Sequence, residues 1–139
     1  MPHQQIDKYG CDIIFYAFGM NTGGQNAQGF ANQAKTFADK LFNEAPDAKL
    51  VMVSSMLPNT EGTNDSPVQY QEEALKPIIK ALQDAGHVVE LDPLQSVHKV
   101  IDAAKRFRDH SGNNMNHPGD YLQRVYAQVA LQTICGYAE

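Results

Sequence analysis

The sequence predicts an α/β domain, a three-layer α/β/α sandwich built on a parallel sheet. Three short, almost entirely apolar segments alternate with longer segments whose apolar residues recur at helical spacing. Strands of this kind are covered on both faces, and helices of this length provide the right-handed crossovers that parallel strands require. A length of 139 residues is enough for one hydrophobic core, so we expect a single domain over residues 1–139.

The first half of the chain supplies two predicted strands and the helix between them. The segment 12–18 is apolar after its first residue and ends at Gly19, as expected for a strand that is buried on both faces. Apolar side chains at helical spacing then predict a helix that ends at about Glu44, just before Pro46. The apolar segment 50–54 predicts the second strand.

The middle of the chain contains a polar loop, a helix and the third strand. Residues 58–67 are polar and rich in helix breakers, which predicts the loop. Asp65 or Ser66 is a suitable N-cap for the next helix, and Pro77 is expected to kink or interrupt that helix. The apolar residues of segment 87–92 predict the third strand.

Two helices complete the predicted element order βαβαβαα. The first is amphipathic and includes Phe107, and the second extends to about Ile134. Between them lies a second polar loop, residues 109–118, which is rich in Asn. Strands that alternate with helices pair in parallel, so the carboxyl ends of all three strands are expected at one edge of the sheet.

The composition argues against several classes of protein. Acidic residues outnumber basic ones by 16 to 11, and the isoelectric point is about 5.4. The main basic cluster, residues 105–108, is interrupted by a phenylalanine, so nucleic-acid binding is not expected. No apolar run approaches the roughly 20 residues that a membrane-spanning helix needs, so no membrane span is expected.

The amino terminus and the cysteines bear on the cellular compartment. Residues 1–8 lack the apolar core of a secretory signal. Cys11 and Cys135 are far apart and have no CxxC spacing, so neither a disulfide nor a zinc site is expected. We predict two buried thiols in a cytoplasmic protein, although a secreted protein whose true amino terminus is missing would also lack a signal.

Polar residues cluster where the predicted strands end. In an open parallel sheet, ligands bind beyond the carboxyl ends of the strands. Residues 19–24 follow the first strand, residues 54–59 follow the second, and the late loop ends at His117 and Pro118. An amide, hydroxyls and an imidazole are therefore expected near one another at this edge.

Asn21 is the first candidate functional residue. An amide fixed in a glycine-rich turn can donate a hydrogen bond to an oxygen that becomes negative during acyl transfer. The structural alternative is that Asn21 only adopts an unusual backbone angle in the turn. A phosphate or flavin at this turn is a further alternative, but the turn lacks the Lys-Ser/Thr of a P-loop and the spacing of a dinucleotide fingerprint.

His117 is the second candidate. Pro118 favours an extended conformation for the preceding residue, so the imidazole is presented at a fixed point before the last helix. A histidine that titrates near neutral pH can serve as a general base, although a histidine in such a loop is also common as a plain surface residue. Asp120 could orient the ring or simply stabilise the amino terminus of the helix.

The remaining polar residues carry no recognised motif. Ser54 and Ser55 follow a strand, but no Gly-x-Ser-x-Gly elbow surrounds them. Four other histidines lack metal-ligand spacing with a second His or Cys, so neither a metal nor another cofactor is expected. These are His3, His87, His98 and His110.

Three segments together resemble the later blocks of the SGNH, or GDSL-type, hydrolases. They are Gly-Met-Asn-Thr at 19–22, the strand and loop at 49–59, and Ser-Gly-Asn-Asn-Met-Asn-His-Pro-Gly-Asp at 111–120. The resemblance implies a flavodoxin-like α/β/α sandwich and hydrolysis of small acyl esters without a cofactor. It also implies that Asn21 is the oxyanion-hole donor and that His117 is the base that activates a serine.

The sequence departs from this family in two places. It has no Gly-Asp-Ser block to carry the nucleophile, and it starts at what would be the family's third strand. Asn114 stands where the family has an acid, three residues before the histidine, so Asp109, Asp120 or a backbone carbonyl would have to orient the ring. We therefore expect the isolated chain to be a weak or inactive esterase, or a binding or assembly module without the chemistry.

The absent strands affect assembly. In the family the first strand pairs beside the third, so the first strand of this chain is expected to have an unpaired edge. A homo-oligomer, or a complex with a separate amino-terminal segment, would cover that edge.

Overall fold

The computed structural model describes residues 11–20, 26–59 and 68–136. Three strands form one parallel sheet in the order β1-β2-β3, with helices flanking it, so the predicted α/β fold class is confirmed. The strands are β1 (Ile13–Ala17), β2 (Lys49–Val53) and β3 (Val88–Asp92). The helices are α1 (Ala27–Glu44), α2 (Gln71–Asp84), α3 (Leu94–Ala104), a short 3-10 helix (Phe107–Asp109) and α4 (Asp120–Cys135).

One face of the sheet packs against α1 and α2. Side chains alternate between the two faces along a strand, and the register places Leu50 and Met52 of the central strand on the same face as Tyr16. These side chains are buried together with Phe30 of α1 and Leu75 of α2. Burying a side chain of this size contributes about 1.5 to 3 kcal/mol, so this core holds the two helices on the sheet.

A smaller apolar cluster lies near the carboxyl edge of the sheet. Met56, from the loop after β2, is buried with Ile101 of α3, Leu122 of α4 and Phe107 of the 3-10 helix. The cluster therefore fixes the position of α4, and with it the loop that leads into α4.

The opposite face of the sheet is only partly covered. Helix α4 contacts β3 on this face, whereas residues near β1 remain open to solvent, with Phe15 41% exposed and Phe18 64% exposed. Within the described residues, no strand pairs with the outer edge of β1. The expected unpaired edge is thus present in this part of the chain.

Three local predictions differ from the structure. Helix α2 begins at Gln71, after a turn at 68–70, and the predicted caps Asp65 and Ser66 lie outside the described residues. Pro77 lies inside α2 without interrupting it, because the buried face of the helix is anchored in the core on both sides of the proline, and a kink at this position stays a prediction. Phe107 belongs to the 3-10 helix, since Lys105 adopts an extended conformation and ends α3.

The prediction of two buried thiols is wrong. Cys11 and Cys135 are both exposed and both free. Cys11 precedes β1 and Cys135 is the last residue of α4, so neither lies within the packed part of its element. Among the described residues, no helix is sufficiently long and apolar to cross a membrane.

Candidate active site

A large cavity lies at the carboxyl edge of the sheet. It is open to solvent and has a volume of about 1220 Å³. The ends of all three strands contribute to its wall, through residues that include Phe18, Ser54 and Asp92. His117 and Tyr126 line the side nearest α4. The structure thus brings the ends of the strands and the predicted base to one cavity.

His117 is presented by a compact loop at the start of α4. The loop closes on itself through a bridge between Ser111 and Pro118, in which Gly112 N–H donates to the His117 carbonyl at 2.7 Å. The side chain of His117 is exposed, and its Nδ1 atom lies 2.8 Å from Asn113 Nδ2. The ring is therefore held by its own loop.

Hydrogen bonds of asparagine side chains hold this loop, which has little regular secondary structure. Asn113 Oδ1 accepts three backbone N–H groups, those of residues 115, 116 and 117, each at 3.0 Å. Asn114 has a φ of 55°, a left-handed conformation that asparagine tolerates better than most residues. Its carbonyl accepts a hydrogen bond from Asn59 Nδ2 at 2.9 Å, which ties the loop to the segment after β2.

The other predicted site residues have different positions. Asn21 lies outside the described residues. Asp109 is the last residue of the 3-10 helix, and Asp120 is the first residue of α4. Within residues 11–20, 26–59 and 68–136, the ring of His117 makes hydrogen-bond contacts with asparagine side chains and with no carboxylate. The roles suggested for Asn21, His117, Asn114, Asp109 and Asp120 stay predictions.

Two fully buried glutamines fix the loops that form the cavity wall. Gln71 Oε1 accepts hydrogen bonds from the backbone N–H and the hydroxyl of Ser55, at 3.0 and 2.7 Å, and Gln71 Nε2 donates to the Gly19 carbonyl at 3.1 Å. Gln95 Nε2 donates to the Ser55 carbonyl at 3.0 Å. Because each amide joins two or more segments, the ends of β1 and β2 are held together.

Two buried polar atoms in the cavity wall have no hydrogen-bond partner among the described residues. They are Ser54 Oγ and Asp92 Oδ1, and each residue is only 2% exposed. Burial, reinforced by the nearby Glu72 carboxylate, raises the pKa of Asp92 to about 6, although the Leu94 N–H opposes this effect. Asp92 is therefore a carboxyl group that gains or loses its proton close to neutral pH.

A histidine–aspartate cluster contacts Tyr126, one of the residues that line the cavity, through the ring of His98. His98 Nε2 and His110 Nε2 are 3.4 and 2.8 Å from Asp102 Oδ1, so the structure joins two histidines that sequence spacing did not connect. The one sequence signal was the i, i+4 placement of His98 and Asp102 on the helix face of α3. Burial, and secondarily His110, lowers the pKa of His98 to about 4, so the ring is neutral at pH 7.

The hydrogen bonds of His98 do not fit a metal ligand. Its Nδ1 atom accepts the Leu57 N–H at 3.1 Å, which places the ring proton on Nε2, the atom that faces Asp102. A ligating histidine instead keeps its proton on the nitrogen away from the metal and donates it to a neighbouring acceptor. Asp102 Oδ1 is thus a close electrostatic neighbour of both histidines, and the hydrogen bond from the Leu57 N–H to His98 links α3 to the loop after β2.

Comparisons with known proteins give the class of fold. No family model and no curated protein matches the sequence. Among solved structures, the chain is similar to a carbohydrate esterase of family 3 from Talaromyces cellulolyticus, with a TM-score of 0.72 and 14% identity. It is also similar to a mutant acetyl esterase with an acetate ion, with a TM-score of 0.68 and 15% identity.

These matches extend over most of this chain. Each covers 94% of the chain but only 60% of the esterase, so the chain spans about three fifths of the length of its structural neighbours. At this level of identity the likeness establishes the fold alone. The chain shares the α/β fold of these two esterases, and its described residues form a sheet of three parallel strands.

Proposed function

We propose that the chain is part of an SGNH-type serine esterase or acylhydrolase, and that it supplies the base and an oxyanion donor. The principal support is the cavity at the carboxyl edge of the sheet, which His117 lines, in a fold shared with carbohydrate and acetyl esterases. His117 would act as the general base and Asn21 as the oxyanion donor. No cofactor or metal is part of this proposal.

The proposed chemistry follows from the two side chains. A serine hydroxyl attacks the ester carbonyl while His117 Nε2 takes its proton, and the histidine then gives the proton to the leaving alkoxide. The Asn21 amide donates a hydrogen bond to the oxyanion of the tetrahedral intermediate. A single donor of this kind contributes about 3 to 4 kcal/mol to stabilisation of the transition state in other enzymes.

The nucleophile is the missing component. The sequence contains no Gly-Asp-Ser block. Ser55 donates its hydroxyl proton to Gln71, and Ser54 is almost fully buried, so neither has the exposed hydroxyl of an activated nucleophile. Because loss of a triad serine costs about 10⁶-fold in kcat in a well-studied protease, the isolated chain is expected to hydrolyse esters barely above background.

The substrate class is suggested by the neighbours and by the cavity. One neighbour is a carbohydrate esterase and the other is an acetyl esterase with an acetate ion. Apolar side chains such as Phe18 and Tyr126 form part of the cavity wall here, which suits a small acyl group more than a charged one. We therefore place acetyl esters of carbohydrates first among small acyl esters.

We expect the nucleophile to belong to a further segment that packs on the open side of the sheet. The outer edge of β1 and the exposed side chains beside it, such as Phe15, would accept a further strand and helix. An amino-terminal segment could provide them together with the nucleophile, whereas a second copy of the chain could cover the edge but contains no Gly-Asp-Ser block. Size-exclusion chromatography with light scattering tests this, because a stable, well-behaved monomer with a protected β1 edge would count against it.

The decisive experiment restores the missing part. Part of the acetyl esterase lies outside the match and would contain its nucleophile. This segment is joined upstream of the present chain, and hydrolysis of p-nitrophenyl acetate by the fusion protein is measured. We expect turnover that is lost on His117→Ala, while thermal denaturation reports whether the added segment docks. A docked segment without turnover would reject the esterase proposal, as would turnover that His117→Ala leaves unchanged.

A catalytically inactive binding or assembly module is the second candidate. Two observations favour it, the lack of a Gly-Asp-Ser block and the contact of the His117 ring with amides in place of a carboxylate. The two functions differ in one measurable way. A binding module would keep its affinity for ligand or partner after His117→Ala, and its completed form would hydrolyse no ester.

A further inference from the structure

Two amide atoms meet the ring of His117 and determine which ring nitrogen carries the proton. Asn113 Nδ2 and Asn116 Oδ1 each lie 2.8 Å from His117 Nδ1, and they lie 3.1 Å from each other. Nδ1 can therefore accept a hydrogen bond from Asn113 or donate one to Asn116. In a neutral imidazole, the first arrangement places the proton on Nε2, and the second leaves Nε2 bare.

Hydrogen bonds within the loop fix the orientation of both amides. Because Asn113 Oδ1 accepts three backbone N–H groups, its Nδ2 is turned toward the ring. Nδ2 donates to Asn116 Oδ1, so Asn116 presents its oxygen to His117 and not its NH₂ group. When Nδ1 carries the proton, this oxygen accepts hydrogen bonds from both Asn113 and His117. When Nδ1 is bare, two lone pairs face each other at 2.8 Å.

We propose that Asn116 is a positioning residue that holds His117 in the Nδ1–H tautomer. Nε2 is then the bare nitrogen, as a general base requires, and among the described residues it makes no hydrogen bond. His117 and Asn116 both line the cavity. The asparagine oxygen thus performs the orienting task of a carboxylate without its charge. The catalytic meaning of this inference rests on the proposed function, whereas the tautomer is a property of the chain itself.

The orientation of the amide is the critical point. In a serine protease triad, an amide that replaces the orienting carboxylate and presents its N–H group produces the wrong tautomer and lowers kcat about 10⁴-fold. Asn113 prevents that outcome here, because its own N–H group occupies the position next to Asn116 Oδ1. Asn113 therefore acts through Asn116 and not directly on the reaction.

Nuclear magnetic resonance measures the tautomer directly. In nitrogen-15-labelled protein, long-range proton–nitrogen correlations distinguish a protonated from a bare ring nitrogen, and His117→Gln identifies the signals. At a pH where the ring is neutral, we expect the wild-type protein to show a protonated Nδ1 and a bare Nε2. Asn116→Ala should shift the ring to the Nε2–H form, which Asn113 then stabilises. Asn116→Asp keeps an acceptor, so it should retain the Nδ1–H form.

Other outcomes would overturn the inference. An Nε2–H ring in the wild-type protein would do so, as would a tautomer that Asn116→Ala leaves unchanged. Asn114→Gly is the matched control, because it removes an asparagine from the same loop and glycine accepts the φ of 55°. A change of tautomer in this variant would assign the role to Asn114 instead.

The tautomer and the proposed function can fail separately. A protonated Nδ1 together with an inactive completed enzyme would uphold the role of Asn116 and reject the esterase. An active completed enzyme whose free chain shows Nε2–H would do the reverse.

Discussion

Replacing Asp92 with Asn is expected to stabilise the protein more at neutral than at acidic pH. Burial first, and then the Glu72 carboxylate, raise the pKa of Asp92 from 3.8 to about 6. The folded state therefore binds the proton more tightly than the unfolded chain, so the ionised carboxylate costs stability above pH 6 and this cost decreases toward acid pH. At about 1.4 kcal/mol for each pH unit between the two pKa values, the cost is about 3 kcal/mol near pH 8 and about 1 kcal/mol near pH 4.5.

Urea denaturation of the wild-type protein and of Asp92→Asn at both pH values measures this difference. The cost of burying the new amide is the same at each pH, so a change of about 2 kcal/mol in the stability difference is the tested quantity. His98, whose lowered pKa removes stability as the pH falls from 6.5 to about 4, acts equally in both proteins and cancels. Asp47→Asn, at an exposed turn, is the control. A stability difference that is equal at both pH values would refute the reasoning.

Three further predictions concern the cavity wall and its surroundings. Gly19→Ala should lower the free energy of unfolding by about 2 to 4 kcal/mol, because a Cβ atom at φ 120° would lie 2.7 Å from the Gln71 side chain. Gly86→Ala is the control: Gly86 has a φ of 95° but open space around it, so this substitution should lower the free energy of unfolding by only about 1 kcal/mol. Gln71→Leu should cost about 2 to 4 kcal/mol by leaving buried groups without partners, as measured by urea denaturation. The His98 ring should titrate near pH 4 in magnetic resonance spectra, and a value near 6.5 would contradict its burial.

The sequence was most informative about the positions of the strands. The apolar runs predicted the bounds of all three strands to within one residue. The expected burial of the first strand on both faces was wrong, because Ile13 and Phe15 of β1 are exposed on the open face of the sheet. Parallel strands end at the same edge of a sheet, so the sequence also predicted that Ser54 and His117 lie near each other at that edge. Both residues line the cavity.

Tertiary hydrogen bonding could not be predicted in the same way. Nothing local marks Gln71 as a fully buried side chain, because its partners Gly19 and Ser55 follow two different strands. The cluster of His98, Asp102 and His110 forms only once α3 and the 3-10 helix have packed together. The predicted start of α2 was too early, because the apparent capping residues Asp65 and Ser66 precede a turn at 68–70. Pro77 is tolerated inside α2 because the helix around it is anchored in the core.

The outer edge of β1, which no described strand covers, also affects how the protein folds when it is expressed. The strand reads Ile-Ile-Phe-Tyr-Ala, without charge, proline or glycine, which is the composition of segments that stack into amyloid fibrils. Asp12 is the nearest charged residue that could discourage such stacking. Expression of the chain alone is therefore expected to favour inclusion bodies, and its recovery in native form to improve when a strand that caps β1 is produced in the same cell.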